Sequence, residues 1–131
     1  FPGETEEDFE ETCALLSEVR FATIFSFRYS PRPLTAAAAL PDDVPLETKR
    51  RRLIALQDLQ KTIQTGVLGS FSGRDLRVLG TGPSPKGGGR FSGRTAGNLV
   101  VNFDSPADPT GRFVTVRITG SGPYSLHGVA L

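Results

Sequence analysis

The sequence predicts an α+β chain, a helix–strand–helix segment followed by a small closed barrel of five short strands. Three observations carry this prediction. Two segments in the first half place apolar residues at helical spacing and open with helix-start signals. From Gly66 onward the texture changes to short β-rich runs separated by clusters of Gly, Pro, Asn and Asp. Gly 15 and Pro 10 make up about a fifth of the 131 residues, more than a helical bundle tolerates.

The first helix is expected over residues 5–20. Thr5 with Asp8 three residues later forms a capping box, and Glu6, Glu7 and Asp8 place negative charge where the helix dipole favours it. Phe9, Cys13, Leu16 and Val19 form its apolar stripe. The acidic start is read as dipole complementation rather than a metal site. Residues 21–29 alternate, with Phe25, Phe27 and Tyr29 on one face of a strand that Pro31 and Pro33 end. Pro45 opens a second helix running to about Gln64, with Leu53, Leu56 and Ile63 in its stripe. Its basic run, Lys49 to Arg52, is read as a solvated face, with a phosphate-binding patch as the alternative.

Gly66 and Gly69 are expected to end helical structure, with the break between the two parts at residues 66–73. Candidate strands then follow at residues 75–80, 90–95, 99–103, 112–119 and 125–131. Five strands in so short a stretch are best accommodated by closure, because a closed barrel leaves no exposed edge.

Composition narrows the function. Leu, Ile, Val and Phe exceed a quarter of the chain, enough for a core and too many for wholesale disorder. No apolar run approaches the length of a membrane span, and no signal peptide is expected, because no basic stretch followed by an apolar run opens the sequence. The absence of Met, with Phe at the first position, leads us to expect a fragment of a longer chain. One Cys excludes an internal disulfide and a metal site built mainly from thiolates, and no CxxxCxxC, CxxC or HExxH is present. No catalytic residue and no metal ligand is assigned. The only His, His127, and the only Cys, Cys13, fall in different parts of the chain. Residues 1–65 carry a net charge of −3 and residues 66–131 a net charge of +4. The second half therefore suits a polyanion, and its candidates for RNA contact are Arg74, Lys86, Arg90, Arg94, Asn98, Asn102, Arg112 and Arg117. Arg94 is the first choice among them, with a structural ion pair to Asp104 as its alternative role. Of Arg112 and Arg117, five residues apart on one strand, only one is expected to face RNA.

Ordered motifs add a resemblance. The opening Phe-Pro-Gly-Glu-Thr-Glu-Glu-Asp-Phe, then Phe-Ser-Phe-Arg-Tyr-Ser-Pro-Arg-Pro, then Asp-Asp-Val-Pro with an Arg-rich helix ending Leu-Gln-Asp-Leu-Gln, resemble the C-terminal part of the radical SAM methylthiotransferases. Gly-Pro-Ser-Pro-Lys, Gly-Arg-Thr, Asn-Leu-Val-Val-Asn-Phe and Phe-Val-Thr-Val-Arg-Ile-Thr are similar to the TRAM domain that closes those enzymes. Ser-Pro-Arg-Pro points to the tRNA-modifying MiaB type.

The resemblance implies an identity for each half. Residues 1–65 would be the end of a radical SAM partial TIM barrel. Residues 66–131 would be a TRAM domain, a five-stranded antiparallel OB-like barrel that binds tRNA. The intact parent would be a cytoplasmic transferase with two [4Fe–4S] clusters and SAM, methylthiolating the isopentenylated adenosine beside the anticodon. Its partners would be the tRNA anticodon stem-loop and the rest of the parent chain, with no membrane. Gly3 and Glu4 match a motif near SAM, while this fragment alone is expected to hold no cofactor and to be inactive. The alternative is a structural or protein-interaction barrel without RNA contact. Leu34 stands where the family pattern usually has Gly.

Overall fold

The computed structural model describes all 131 residues, which form two compact units, Phe1–Ile63 and Gln64–Leu131. The elements run α1 (Glu6–Val19), a single 3-10 turn (Ala36–Ala39), α2 (Leu46–Gly69), β1 (Asp75–Pro83), β2 (Phe91–Thr95), β3 (Val100–Asp104), β4 (Phe113–Ser121) and β5 (Leu126–Ala130). Two helices followed by a closed five-stranded barrel are present, as the sequence predicts.

In the first unit, α1 begins with the expected capping box. The Thr5 hydroxyl accepts from the Asp8 N–H at 3.1 Å and the Asp8 carboxylate accepts from the Thr5 N–H at 2.8 Å. The helix ends where Arg20 turns left-handed and donates its N–H to the Leu16 carbonyl at 2.9 Å. Phe9, Leu16, Val44 and Ile63 are buried. The basic run of α2 is a solvated face only in part: Arg50 and Arg51 are exposed, Lys49 and Arg52 are largely covered, and each of the four lies beside a carboxylate of the same unit. Arg51 makes two hydrogen bonds to the Glu6 carboxylate, at 3.1 and 2.8 Å, and Lys49 pairs with Asp42. Arg52, only 8% exposed, bonds Glu6 and the Glu4 carbonyl and lies over the Phe9 ring. A pattern of like charges cannot show the Arg51 and Arg52 contacts, because their partners Glu4 and Glu6 lie more than forty residues away in sequence.

Hydrogen bonds from Arg51 and Arg52 lower the Glu6 carboxyl from its ordinary 4.5 to about 2. A carboxyl whose folded pKa is depressed supplies stability above its unfolded pKa and loses it as pH falls toward the folded one. The first unit is therefore expected to weaken between about pH 4.5 and pH 2, and Glu6→Gln to flatten that dependence. Melting temperatures of the two proteins across this range check the prediction. Parallel curves would assign the acid sensitivity to other carboxylates.

Residues 21–29 do not form the expected strand. No other strand lies in this unit to complete a ladder, so Phe25 and Phe27 stand 88% and 83% exposed, and the Tyr29 hydroxyl donates to the Ala37 carbonyl. Leu34 adopts φ of +65°, the conformation that explains a usual Gly there and costs a branched residue roughly 1 kcal/mol. Helix α2 also differs from expectation, running through Gly66 to Gly69. A glycine inside a helix costs about 1 kcal/mol. The one extra turn buries Leu68, 2% exposed, in the barrel core, which stabilises by roughly 1.5–3 kcal/mol and so outweighs the glycine.

The barrel closes in the order β1-β2-β3-β5-β4. Its core is Leu68, Val78, Val101, Phe103, Val116, Ile118 and Leu126. Four of its five pairings are antiparallel, while β3 and β5 run parallel, a detail outside the all-antiparallel expectation. A bulge at Gly80/Gly82, with Gly82 at φ of +135°, bends β1 at its end.

Candidate nucleic-acid interface

Strand alternation sorts the barrel residues. On β1, Leu76, Val78 and Gly80 turn inward while Asp75, Arg77 and Leu79 are exposed. On β4, Val116 and Ile118 are buried while Phe113, Thr115 and Arg117 are exposed. The register then builds a row across the outside: Phe113 pairs with Leu79, Leu79 with Arg94, and Arg94 with Val100. Arg77, one outward position along β1 from Leu79, lays its guanidinium 4.0 Å from the centroid of the Phe113 ring. Phe113 is nonetheless 58% exposed. Arg77 and Phe113 are absent from the sequence-based candidates. Their outward alternation is legible in each strand, but their contact appears only once the β1–β4 register is known.

Arg94 is held in place by the turn that follows it. Asn98 takes a left-handed φ of +62° and presents two oxygens to Arg94 Nη1, its carbonyl at 3.1 Å and its side-chain Oδ1 at 3.0 Å. One nitrogen is thereby fixed, and Nε and Nη2 are left to donate elsewhere. Asp104 is not the partner of Arg94; it lies 3.6 Å from Arg90. Arg117 forms a two-point ion pair with Asp75, directly opposite in the ladder, and holds that carboxyl below the usual range. Much of its charge is therefore compensated. Arg74 lies over the Phe71 ring at 5.6 Å. Arg112 is exposed at the bend before β4, so it shares no strand face with Arg117.

Asn102 requires a correction. It is 5% exposed, and its Oδ1 accepts the Ser84 hydroxyl at 2.8 Å. Burial removes it from reach of RNA, and the bond anchors the start of the loop between β1 and β2. That loop carries Lys86, exposed, before three glycines that each take a positive φ near 70°.

In the first unit, the Gly3 N–H donates to Asp43 at 2.7 Å, while Arg52 takes the Glu4 carbonyl and lies 3.5 Å from its carboxylate. Both positions are engaged within the unit by these contacts. Cys13 is half-buried on α1, burial pushes its thiol upward, and no group of three or more His, Cys, Asp or Glu is arranged to hold a metal. An iron–sulfur cluster does not fit these residues. No helix is long and apolar enough to cross a membrane.

Residues 69–131 match the TRAM domain family. The barrel is a TRAM domain. Across the whole chain, the sequence is 47% identical over 131 residues to a tRNA-2-methylthio-N(6)-dimethylallyladenosine synthase of Syntrophobacter fumaroxidans. It is 47% identical over 128 residues, 98% of the chain, to proteins of the same name in Coxiella burnetii and Legionella pneumophila. The chain spans 29% of the length of each. These matches bear out the resemblance to the C-terminal part of the tRNA methylthiotransferases, and the outer face of β1, β2 and β4 is a face of the TRAM domain.

Proposed function

We propose that the TRAM domain binds tRNA for a radical SAM methylthiotransferase whose C-terminal part this chain is. The names of the similar proteins support tRNA as the substrate class. The observation that carries the reading is Arg94: exposed, positioned by Asn98, without a carboxylate partner, and set in a row with exposed Leu79 and Phe113. An RNA strand meets such a surface with phosphates on the arginine and bases on the apolar groups.

On this reading, residues 1–65 complete the radical SAM barrel of the parent, and residues 66–131 grip the anticodon stem-loop in the cytoplasm. The clusters and SAM sit on parts of the parent outside this chain, where they supply the chemistry that adds sulfur and a methyl group to the adenosine. This chain alone is then inactive. Its contribution is binding, through Arg94, Arg77, Lys86 and Arg112, with Arg74 and Arg90 at the margins.

The test is titration of an anticodon stem-loop at several salt concentrations. Neutralised phosphates make affinity fall steeply as salt rises. Arg94→Ala is expected to weaken binding and to lower the salt slope by about one phosphate contact, with the melting temperature unchanged. A stable domain that binds no stem-loop even at low salt would favour the other reading, a barrel that serves as a structural or protein-interaction module.

A further inference from the structure

The charged residues of the TRAM domain are unevenly spent. Of its three carboxylates, Asp75 pairs with Arg117, Asp104 lies against Arg90, and Asp108 takes the hydroxyl and N–H of Thr110. Arg77 and Arg94 have no carboxylate partner, and they flank the apolar pair Phe113 and Leu79 on the outer sheet face. A face that is apolar at its centre and cationic at its sides calls for a ligand that is planar and apolar in one part and anionic in another. A nucleotide has both parts.

Phe113 is the group best placed for the planar part. Its ring is more than half exposed even with the Arg77 guanidinium over one face. A large aromatic left exposed on a strand contributes little to the core, whereas the barrel interior is filled by Phe103 and aliphatic residues. The guanidinium also withdraws electron density from the ring, which favours stacking on an electron-rich base. Leu79 and Val100 continue the surface along the row, and Arg94 stands between them where a backbone phosphate would pass.

We infer that Phe113, backed by Arg77, is a stacking platform for one unpaired nucleobase, so that the domain selects looped or single-stranded RNA over continuous duplex. A paired base in an A-form helix keeps its faces covered by its neighbours and has none to offer the ring. The inference rests on the RNA-binding reading above and assigns it a substrate feature.

The experiment uses the whole 131-residue chain and two RNAs of equal length, a stem-loop and a blunt continuous duplex. Phe113→Leu keeps an apolar side chain and removes the ring. It is expected to lose on the order of tenfold or more in affinity for the stem-loop, with duplex affinity and salt slope unchanged. Phe113→Trp restores stem-loop binding. Far-UV circular dichroism and melting confirm that both variants are folded. Wild-type binding of the stem-loop by Phe113→Leu, or an equal loss toward both RNAs, overturns the platform while leaving RNA binding in place. Failure of the unaltered chain to bind either RNA overturns both readings and gives the face to a protein partner.

Discussion

Phe103→Ala is expected to destabilise the barrel by about 3–5 kcal/mol, the range for deleting a buried aromatic ring. Phe103 is fully buried and is among the largest side chains in the core. It lies on β3 opposite Phe91 of β2 on one side and Gly128 of β5 on the other. Its removal leaves a cavity lined by three strands that are already closed on one another, so the walls cannot collapse freely. A domain of about this size has total stability of only several kcal/mol, and the variant should be largely unfolded at ordinary temperature. Urea denaturation followed by circular dichroism measures this directly. A midpoint close to that of the parent chain would show that the barrel does not depend on this ring. Phe113→Ala, on the outside of the same barrel, should by contrast leave the midpoint nearly in place.

Gly128→Ala is the second large effect, and it follows from backbone proximity rather than volume. Gly128 faces inward between β3 and β4, paired with Phe103 and Ile118. A Cβ there would stand 2.4 Å from the Arg117 carbonyl oxygen and 2.6 Å from Val116 Cγ1. Neither neighbour can swing aside, because one is backbone in the ladder and the other is a β-branched residue packed in the core. The strands must separate, at a cost of roughly 1–3 kcal/mol or more. Gly120→Ala provides the control. It lies in β4 at a bulge, and an added Cβ there meets nothing within 4 Å. Parallel thermal melts should show a large drop for the first variant and little for the second. Equal drops would mean that β5 yields to the methyl group without opening the barrel.

The candidate site was partly legible in the sequence. The net positive charge of the second half and the Gly-Arg-Thr motif led to Arg94. Asn98 was a candidate for RNA contact, and only the structure shows that its left-handed turn fixes Arg94. Asn102 stood among the candidates because its amide can both donate and accept toward bases or sugars. Its burial comes from Ser84 and the loop behind it, eighteen residues away in sequence. The basic run of α2 was legible only in part for the same reason, with Arg50 and Arg51 exposed but Arg52 buried. Arg51 and Arg52 look like a surface patch until Glu6 is known to stand beside them.

What the sequence determined by itself is the set of elements whose signals are local. The capping box of α1, the turn clusters between strands and the alternation within β1 and β4 each depend on residues a few positions apart, so their physics is complete within a short window. The tertiary structure decided everything that depends on a distant partner. It left residues 21–29 without a ladder, carried α2 past Gly66 so that Leu68 could enter the core, and made the β3–β5 closure parallel. It also set the register that brings Phe113, Leu79 and Arg94 into one row with Arg77 against the ring. Strand period says which face a side chain takes. Only closure of the barrel, which pairs every edge and buries every inward residue at once, says which side chains on that face become neighbours.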